Sequence, residues 1–480
     1  MRSGTPLRNF ILALAAGATA LAVASLASAA DSTAVTPPAA DATAAPAAPA
    51  AIAVDGVERW SLARCIETAL RQNGDVRAAR ARTTQARGGA LSGWSNVLPS
   101  ITADASVTRL LPDEKSSLTA VEIDSTLYTA NVDRRDVTSL SAGVQANLFD
   151  LPAWSAKRRL DHRRSSAEES EAETRNDVVF RVRQQYFECV KAERLAEVAR
   201  ESERLARDEE TRSEALFQVG SVARGDVLKA RARRASTQLS RIQAQNQVEI
   251  QRQRLKQLIG LEGPAGVAVE MELEGTVPIP DSAAVVAQAL RARPTLASAH
   301  AAERAARSGL FGARTARAPR VTGSVNVDRS KFEDKLLVSG FDDIEDSRTS
   351  TQWTGTLRLS VPIFDGLAIE GNMRSAKGSL LEAEAARRQL ELDVAFEARE
   401  AWLLLKEAVE RIDVAREGVA SAEEDHKFSK GRYELGAGTF LDLLNAQVSL
   451  EQARQQLVEA LADARVAEAA LERAIGERRY

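Results

Sequence analysis

The sequence predicts a mainly α-helical protein with a membrane β-barrel, and three features of the 480-residue chain indicate this fold class. The first is Ala153–Val219, a run of 67 residues without glycine or proline, which favours one very long helix. The second is a set of four segments in which apolar and polar side chains alternate. The third is an internal repeat, which predicts a duplicated unit of long coiled-coil helices plus two strands.

Residues 1–29 at the N-terminus are predicted to be a secretory signal peptide. Arg2 and Arg8 make a basic start, Phe10–Leu26 is apolar, and Ala27-Ser28-Ala29 fits the rule of small residues at the cleavage site. An uncleaved membrane anchor is the alternative interpretation of the same residues.

The composition restricts the function classes. Residues 30–57 are rich in alanine and proline and are predicted to be a linker, because such a composition cannot bury a core. The net charge of 64 minus 67, or -3, does not favour a nucleic-acid partner. His162, His300 and His426 are far apart in sequence, and we predict no metal site, no cofactor and no catalytic residue. We therefore expect a protein that is not an enzyme.

Cys65 and Cys189 both fall within helical patterns. An oxidising compartment would permit a disulfide between them, and two buried free thiols are the alternative. We favour the two free thiols.

Matching residues recur along the chain at nearly constant offsets. Ala69-Leu70-Arg71 returns as Ala289-Leu290-Arg291 at an offset of 220, and Ile259-Gly260 returns as Ile475-Gly476 at an offset of 216. The chain is therefore predicted to hold two copies of one unit. The first copy spans residues 58–263, a linker spans 264–280, and the second copy spans 281–480.

Each copy contains two predicted strands in which side chains alternate with a period of two. In the first strand Ile101 and Ala103 alternate with Thr102 and Asp104, so one face is apolar and the other is polar. Each strand is close to the roughly 9–11 residues that a tilted strand needs to cross a bilayer. The strands are predicted at about 99–109, 138–149, 320–329 and 352–363, with long polar loops that face outside the cell at Leu110–Asp136 and Ser330–Thr351.

Four amphipathic strands are too few to close a barrel, since a usable lumen takes about eight strands and open edges are not tolerated in lipid. Several chains must therefore contribute strands to one barrel. Three chains would give twelve strands, and helices about 100 Å long would give a helical tunnel. This reasoning does not choose three chains over two or four.

Two glycine-containing segments are predicted to be the turning tips of long helical hairpins. Phe217–Ala230 and Tyr433–Ala446 carry an aromatic residue, a glycine, an aspartate and an alanine in the same register. Glycine permits the left-handed backbone that a tight turn after a helix requires. We expect these tips to form the gated end of a channel.

The duplicated order of elements resembles that of the TolC-type outer-membrane efflux proteins. Leu98-Pro99-Ser100 precedes a strand, Leu148-Phe149-Asp150 precedes a long helix, and Trp60-Ser61-Leu62 is similar to the family's N-terminal signature. The resemblance covers residues 58–480. It implies a homotrimer with a 12-stranded barrel in the outer membrane and an α-helical tunnel across the periplasm. The periplasmic end would stay closed until a periplasmic adaptor (a membrane fusion protein) and an inner-membrane transporter, which supplies the energy, dock.

The resemblance also implies a pore constriction at the second tip. Asp442 matches the first of two aspartates that ring the pore in the family, and Asn445 stands where the second would be. A ring of carboxylates attracts cations, and the asparagine would weaken that attraction. For Asp442, the alternative is a carboxylate that stabilises a helix N-terminus.

The gate contacts that the resemblance implies are retained only in part. Tyr433 and Asp226 match a tyrosine and an aspartate that link the two tips in the closed state. Gly438 and Gly225 stand where the family has a second link between an arginine and a threonine, so that link is missing. We expect closure to rely on the Tyr433–Asp226 hydrogen bond and on packing.

The turns of both tips match the family's adaptor-contacting surface, although the glycines also have a purely structural explanation. A periplasmic coiled-coil adaptor or structural protein without its own pore is the alternative function. Drugs, metal ions and secreted polypeptides all remain open as substrates. The adaptor-contacting residues are predicted to be Val219, Gly220, Ser221, Leu435, Gly436 and Ala437.

Overall fold

The computed structural model of the protein describes residues 53–54, 57–110, 118–123, 126–262, 267–270, 273, 277–338 and 344–476. The predicted signal peptide, residues 30–52 of the first predicted linker and much of the second linker lie outside the described residues. The helices are α1 (Leu62–Gln72), α2 (Gly74–Ser92), α3 (Leu151–Gln218), α4 (Arg224–Ile259), α5 (Ser282–Ala292), α6 (Pro294–Arg314), α7 (Ala368–Glu434) and α8 (Phe440–Ala474). The strands are β1 (Ala53–Val54), β2 (Val57–Trp60), β3 (Ser100–Leu110), β4 (Leu118–Ile123), β5 (Thr126–Phe149), β6 (Val267–Val269), β7 (Arg320–Val338) and β8 (Ile344–Ser360).

Each copy of the repeat forms one long helical hairpin. Helices α3 and α4 make the first hairpin with 68 and 36 residues, and α7 and α8 make the second with 67 and 35 residues. Helix α3 begins after the N-cap Asp150, whose carboxylate accepts a hydrogen bond from the Ala153 amide at 3.1 Å. In the part of the chain that the structure describes, no helix is both long and apolar enough to cross a membrane. Helix α3 also packs against α6 and α8, so the two copies are joined along their helices.

The first helical stretch is interrupted between α1 and α2, and Ser61 is the N-cap of α1. The break falls at Asn73, whose Oδ1 accepts a hydrogen bond from the Asp75 amide at 2.8 Å. Its side-chain amide donates to the Leu258 carbonyl at 2.8 Å. Helix α1 therefore ends at Asn73, because the Asn73 side chain caps α2 and binds the backbone of α4. The contact with α4 depends on the tertiary structure.

Strands from both copies form one antiparallel sheet in the order β3–β5–β7–β8, and β4 pairs with β5. Strand β5 of the first copy pairs with β7 of the second, so the two copies share a sheet within a single chain. Among the described strands, β3 pairs only with β5 and β8 pairs only with β7. One edge of β3 and one edge of β8 are thus left without a partner strand in a single chain.

The prediction of long polar loops at Leu110–Asp136 and Ser330–Thr351 is wrong for much of their length. Strand β5 begins at Thr126 and has 24 residues, β7 continues to Val338, and β8 begins at Ile344. Polar side chains do not prevent strand pairing, because the backbone makes the ladder and an antiparallel sheet can face water. The strands consequently extend well beyond the segments that alternate most clearly.

Cys65 and Cys189 are buried free thiols in the core of the first copy, as we favoured. The repeat places Val285 and Leu405 at the equivalent positions in the core of the second copy. The cysteines therefore occupy core positions that hold apolar side chains in the second copy. Burial raises the pKa of each thiol to about 12, so both stay protonated at neutral pH.

Candidate functional site

The first hairpin turns at a glycine that ends α3. Gly220 has a left-handed backbone with a φ of 78°. Its amide donates to the Phe217 carbonyl at 3.0 Å, and the Ser221 amide donates to the Leu216 carbonyl at 2.9 Å. These bonds form a Schellman motif, which satisfies carbonyls that the end of a helix leaves free.

The second hairpin turns in the same way. Gly436 has a φ of 71°. Its amide donates to the Tyr433 carbonyl at 3.1 Å, and the Ala437 amide donates to the Arg432 carbonyl at 2.8 Å. The similarity of the two tip sequences thus corresponds to one backbone turn that occurs twice.

Both turns expose apolar side chains. Val219 directly precedes the glycine of the first turn and is 74% exposed, and Leu435 directly precedes the glycine of the second turn and is 86% exposed. The other four predicted adaptor-contacting residues are also exposed, so the six form two matching surfaces at the tips. We call these the tip surfaces. Both turns therefore present an apolar side chain to solvent at the same position, directly before the glycine.

Asp442 lies in the first turn of α8 and forms a capping box with Thr439. The Thr439 amide donates to the Asp442 carboxylate at 3.0 Å, and the Asp442 amide donates to the Thr439 hydroxyl at 3.2 Å. The hydrogen bond from the Thr439 amide holds the pKa of Asp442 below its ordinary value, so the exposed carboxylate stays ionised. Asn445 is exposed three residues later, on the same face of α8. Asp442 therefore acts as a helix-terminal carboxylate within one chain, and its side chain remains exposed.

Tyr433 does not form the predicted hydrogen bond to Asp226 within the chain. Its hydroxyl is buried and has no hydrogen-bond partner among the described residues. Its ring packs edge-on against Phe440, with 5.7 Å between the ring centroids. Asp226 forms an ion pair with Lys229, one helical turn away, at 3.4 Å. The Asp226 carboxylate, which was predicted to bind the Tyr433 hydroxyl, thus binds Lys229 instead.

Two further buried polar groups lie near Tyr433. Glu209 Oε1 and Ser213 Oγ also have no hydrogen-bond partner among the described residues. We call Glu209, Ser213 and Tyr433 the buried polar cluster. Burial raises the pKa of Glu209 above its ordinary value, against the opposing charges of Arg212 and Lys430. Burial also raises the pKa of Tyr433, and the charge of Glu209 raises it further, whereas the nearby Ser213 hydroxyl lowers it although the two oxygens do not reach normal hydrogen-bond geometry.

An ion pair that the sequence did not predict joins the two hairpins near their tips. Arg212 of α3 and Glu434 of α7 lie 2.5 Å apart, measured from Nη1 to Oε1. The partners are 222 residues apart in sequence. They also stand at different distances from their glycine turns, so the repeat gives no signal for this contact.

The comparisons with known proteins agree with this architecture. The family model described as Outer membrane efflux protein matches residues 65–261 and 285–477, which are most of the chain and correspond to the two copies. The Outer membrane protein TolC of Escherichia coli (strain K12) is 23% identical over 336 residues, which are 69% of this chain and 68% of TolC. Nodulation protein T of Rhizobium leguminosarum bv. trifolii is 24% identical over 421 residues, which are 86% of this chain and 85% of that protein.

The fold is similar to that of CusC, whose crystal structures concern folding and transmembrane channel formation. The TM-score is 0.70 at 20% identity, over 86% of this chain and 92% of the CusC chain. The predicted fold class is thereby confirmed. The family match confirms the predicted outer-membrane location and favours an efflux channel over a periplasmic adaptor without a pore. The chain belongs to the outer membrane efflux protein family.

Proposed function

We propose that three copies of this chain form one channel that exports substrates across the periplasm and the outer membrane. The observation that carries this proposal is the pair of unpaired sheet edges at β3 and β8. Backbone groups at such edges need another strand in lipid. In a trimer, β8 of one chain would pair with β3 of the next and close a barrel of twelve strands.

The tips would form the closed periplasmic end of this channel. Asp442 and Asn445 are exposed on one face of α8, and three copies would place a ring of carboxylates and amides around the axis. Such a ring would attract cations. Tyr433 would contribute to closure through its packing against Phe440, and Asp226 through its charge near the tyrosine.

The tip surfaces would bind a periplasmic adaptor, and an inner-membrane transporter would supply the energy. The exposure of Val219 and Leu435 supports this, because an adaptor would cover both side chains. The two turns have the same backbone, so one adaptor could contact both kinds of tip in a similar way.

Assembly can be tested on outer membranes extracted in detergent. A trimer that dissociates only on heating is the expected result, and a soluble monomer in the periplasm would contradict the proposal. Adaptor binding can be tested with Ala437→Cys, because the native Cys65 and Cys189 are buried and would not compete for a cross-linker. The matched control is Arg200→Cys, at an exposed position on α3 far from the tip. Cross-linking of an adaptor from residue 437 and not from residue 200 is expected.

A further inference from the structure

A basic groove lies between α3 and α6, close to where these helices meet the strands. Its volume is about 300 Å³. Helix α3 contributes Arg158 and His162 to its wall, and α6 contributes Arg304, Ser308 and Phe311. We call this the basic groove.

Two arginines of the basic groove have no counter-charge. Neither the Arg158 nor the Arg304 side chain forms an ion pair or hydrogen bond with any residue that the structure describes. Arg307, which also lines the groove, differs in this respect, because it pairs with Glu303 at 2.7 Å. The free cations of the groove are therefore Arg158 and Arg304, one on each helix.

The pKa of His162 is lowered by burial and by the positive charge of the groove. Its pKa lies below the ordinary value because it is partly buried, and the charges of Arg304 and Arg158 lower it further. The neighbouring Asp161 acts in the opposite direction and does not reverse this effect. An anion bound between the two arginines would remove part of this positive potential.

Aromatic and basic residues follow the same order on both helices. On α3, Trp154 lies near the end of β5, and Arg158 lies one turn farther from the strands on the same face. On α6, Phe311 lies near the start of β7, and Arg304 lies two turns farther away. Trp154 and Phe311 are 45% and 47% exposed. Aromatic side chains are typical of the membrane interface, and basic side chains beside them reach the phosphates of the head groups.

We propose that the basic groove binds the phosphate of an anionic glycerophospholipid in the periplasmic leaflet of the outer membrane. Arg158 and Arg304 would donate hydrogen bonds to the phosphate oxygens, since a guanidinium group matches the geometry of a phosphate. Trp154 and Phe311 would contact the glycerol and the start of the acyl chains. The proposal rests on the outer-membrane location of the family and is independent of the adaptor and of the gate.

Lipid binding can be measured by native mass spectrometry of the detergent-solubilised protein with phosphatidylglycerol or zwitterionic phosphatidylcholine. We expect the protein to retain phosphatidylglycerol in preference to phosphatidylcholine. In the double variant Arg158→Gln/Arg304→Gln, the affinity for phosphatidylglycerol relative to phosphatidylcholine should fall about 30-fold. This corresponds to about 1 kcal/mol for each arginine. Arg200→Gln on the same helix α3 is the matched control and should retain it. Arg158 and Arg304 are both exposed and form no ion pair with a described residue, so their replacement should leave assembly intact.

A second measurement uses the His162 imidazole as a probe of the groove. Phosphatidylglycerol should raise the pKa of His162, followed by its NMR chemical shift, and phosphatidylcholine should not. Equal retention of the two lipids, or an equal loss in the Arg200→Gln control, would overturn the proposal. Competition by inorganic phosphate at the same concentration as the lipid would also overturn it, since the groove would then bind the free anion. A variant that loses lipid preference but still exports would leave the proposed function unaffected.

Discussion

Arg212 of α3 and Glu434 of α7 form an ion pair with 2.5 Å between Nη1 and Oε1, at the end of the helices that carries both tips. Helices α3 and α7 belong to different copies of the repeat and are not joined by a turn. The pair therefore links the two hairpins near their tips, and we expect that opening of the tips would separate the two partners.

Replacement of Arg212 by alanine should raise the leak conductance of the channel in planar bilayers. A partly exposed ion pair contributes about 0.5 kcal/mol, and three copies would shift the balance between open and closed states roughly tenfold. The charge-swapped double variant Arg212→Glu/Glu434→Arg should restore a low conductance. Arg416→Ala, which breaks an exposed pair within α7, is the control and should have no effect. A double variant that leaks as much as Arg212→Ala would contradict a role for the pair.

Tyr433→Phe should leave the leak conductance unchanged, which reverses the expectation from the sequence. The hydroxyl is buried and makes no hydrogen bond of normal geometry to a residue that the structure describes, and the nearby Ser213 hydroxyl only lowers its pKa. Its removal therefore costs little and relieves a desolvated polar group. Tyr433→Ala should raise the conductance, because it removes the ring packing against Phe440, worth about 1 kcal/mol. If Tyr433→Phe leaks as strongly as Tyr433→Ala, the hydroxyl forms a bond in the assembled channel that it lacks within one chain.

Block of the channel by polyvalent cations should depend on Asp442 and Asn445. Asp442→Asn should weaken block, and Asn445→Asp should strengthen it by adding one carboxylate per chain. Because hydrogen bonding lowers the pKa of Asp442, block should persist at neutral pH and weaken only as the pH falls below the ordinary value of 3.8. Thr439→Ala separates the two roles of Asp442, since it removes the cap, worth about 1 kcal/mol, and keeps the charge. Equal block in Asp442→Asn and the parent would show that the carboxylate does not face the pore.

The closed tip should become less stable as the pH rises, owing to Glu209. Its raised pKa means that the closed form holds a proton more tightly than an exposed carboxyl does. This contribution is complete below the ordinary value of 4.5 and is lost as the pH rises through the raised pKa. Conductance measured across this range should increase with pH, and Glu209→Gln, which mimics the protonated form, should flatten the curve. Glu417→Gln, at an exposed carboxyl on α7, should behave like the parent. A pH dependence that survives in Glu209→Gln would assign it to another group.

Much of the fold follows from local patterns in the sequence. The glycine-free run before Gly220 predicts a helix of nearly the length that α3 has, and the echo between the tips predicts a turn that occurs at both Gly220 and Gly436. These features depend on residues that are neighbours along the chain. Helix propensity and backbone freedom at glycine are properties that each residue carries with it.

The contacts between distant elements could be identified only from the structure. The sequence did not indicate that Asn73 interrupts a helix and donates to the Leu258 carbonyl, or that β5 begins as early as Thr126.

By itself, the sequence determined the duplication, the long hairpins, the glycine turns and the amphipathic strands, because each depends on the order and spacing of residues along the chain. Only the tertiary structure decided that Arg212 meets Glu434 and that the Tyr433 hydroxyl is buried without a well-formed hydrogen bond to a described residue. The physical reason is that such contacts depend on the rotation and axial register of packed helices. A shift of one residue along α7 would change which side chains meet, while the period of its sequence pattern would stay the same.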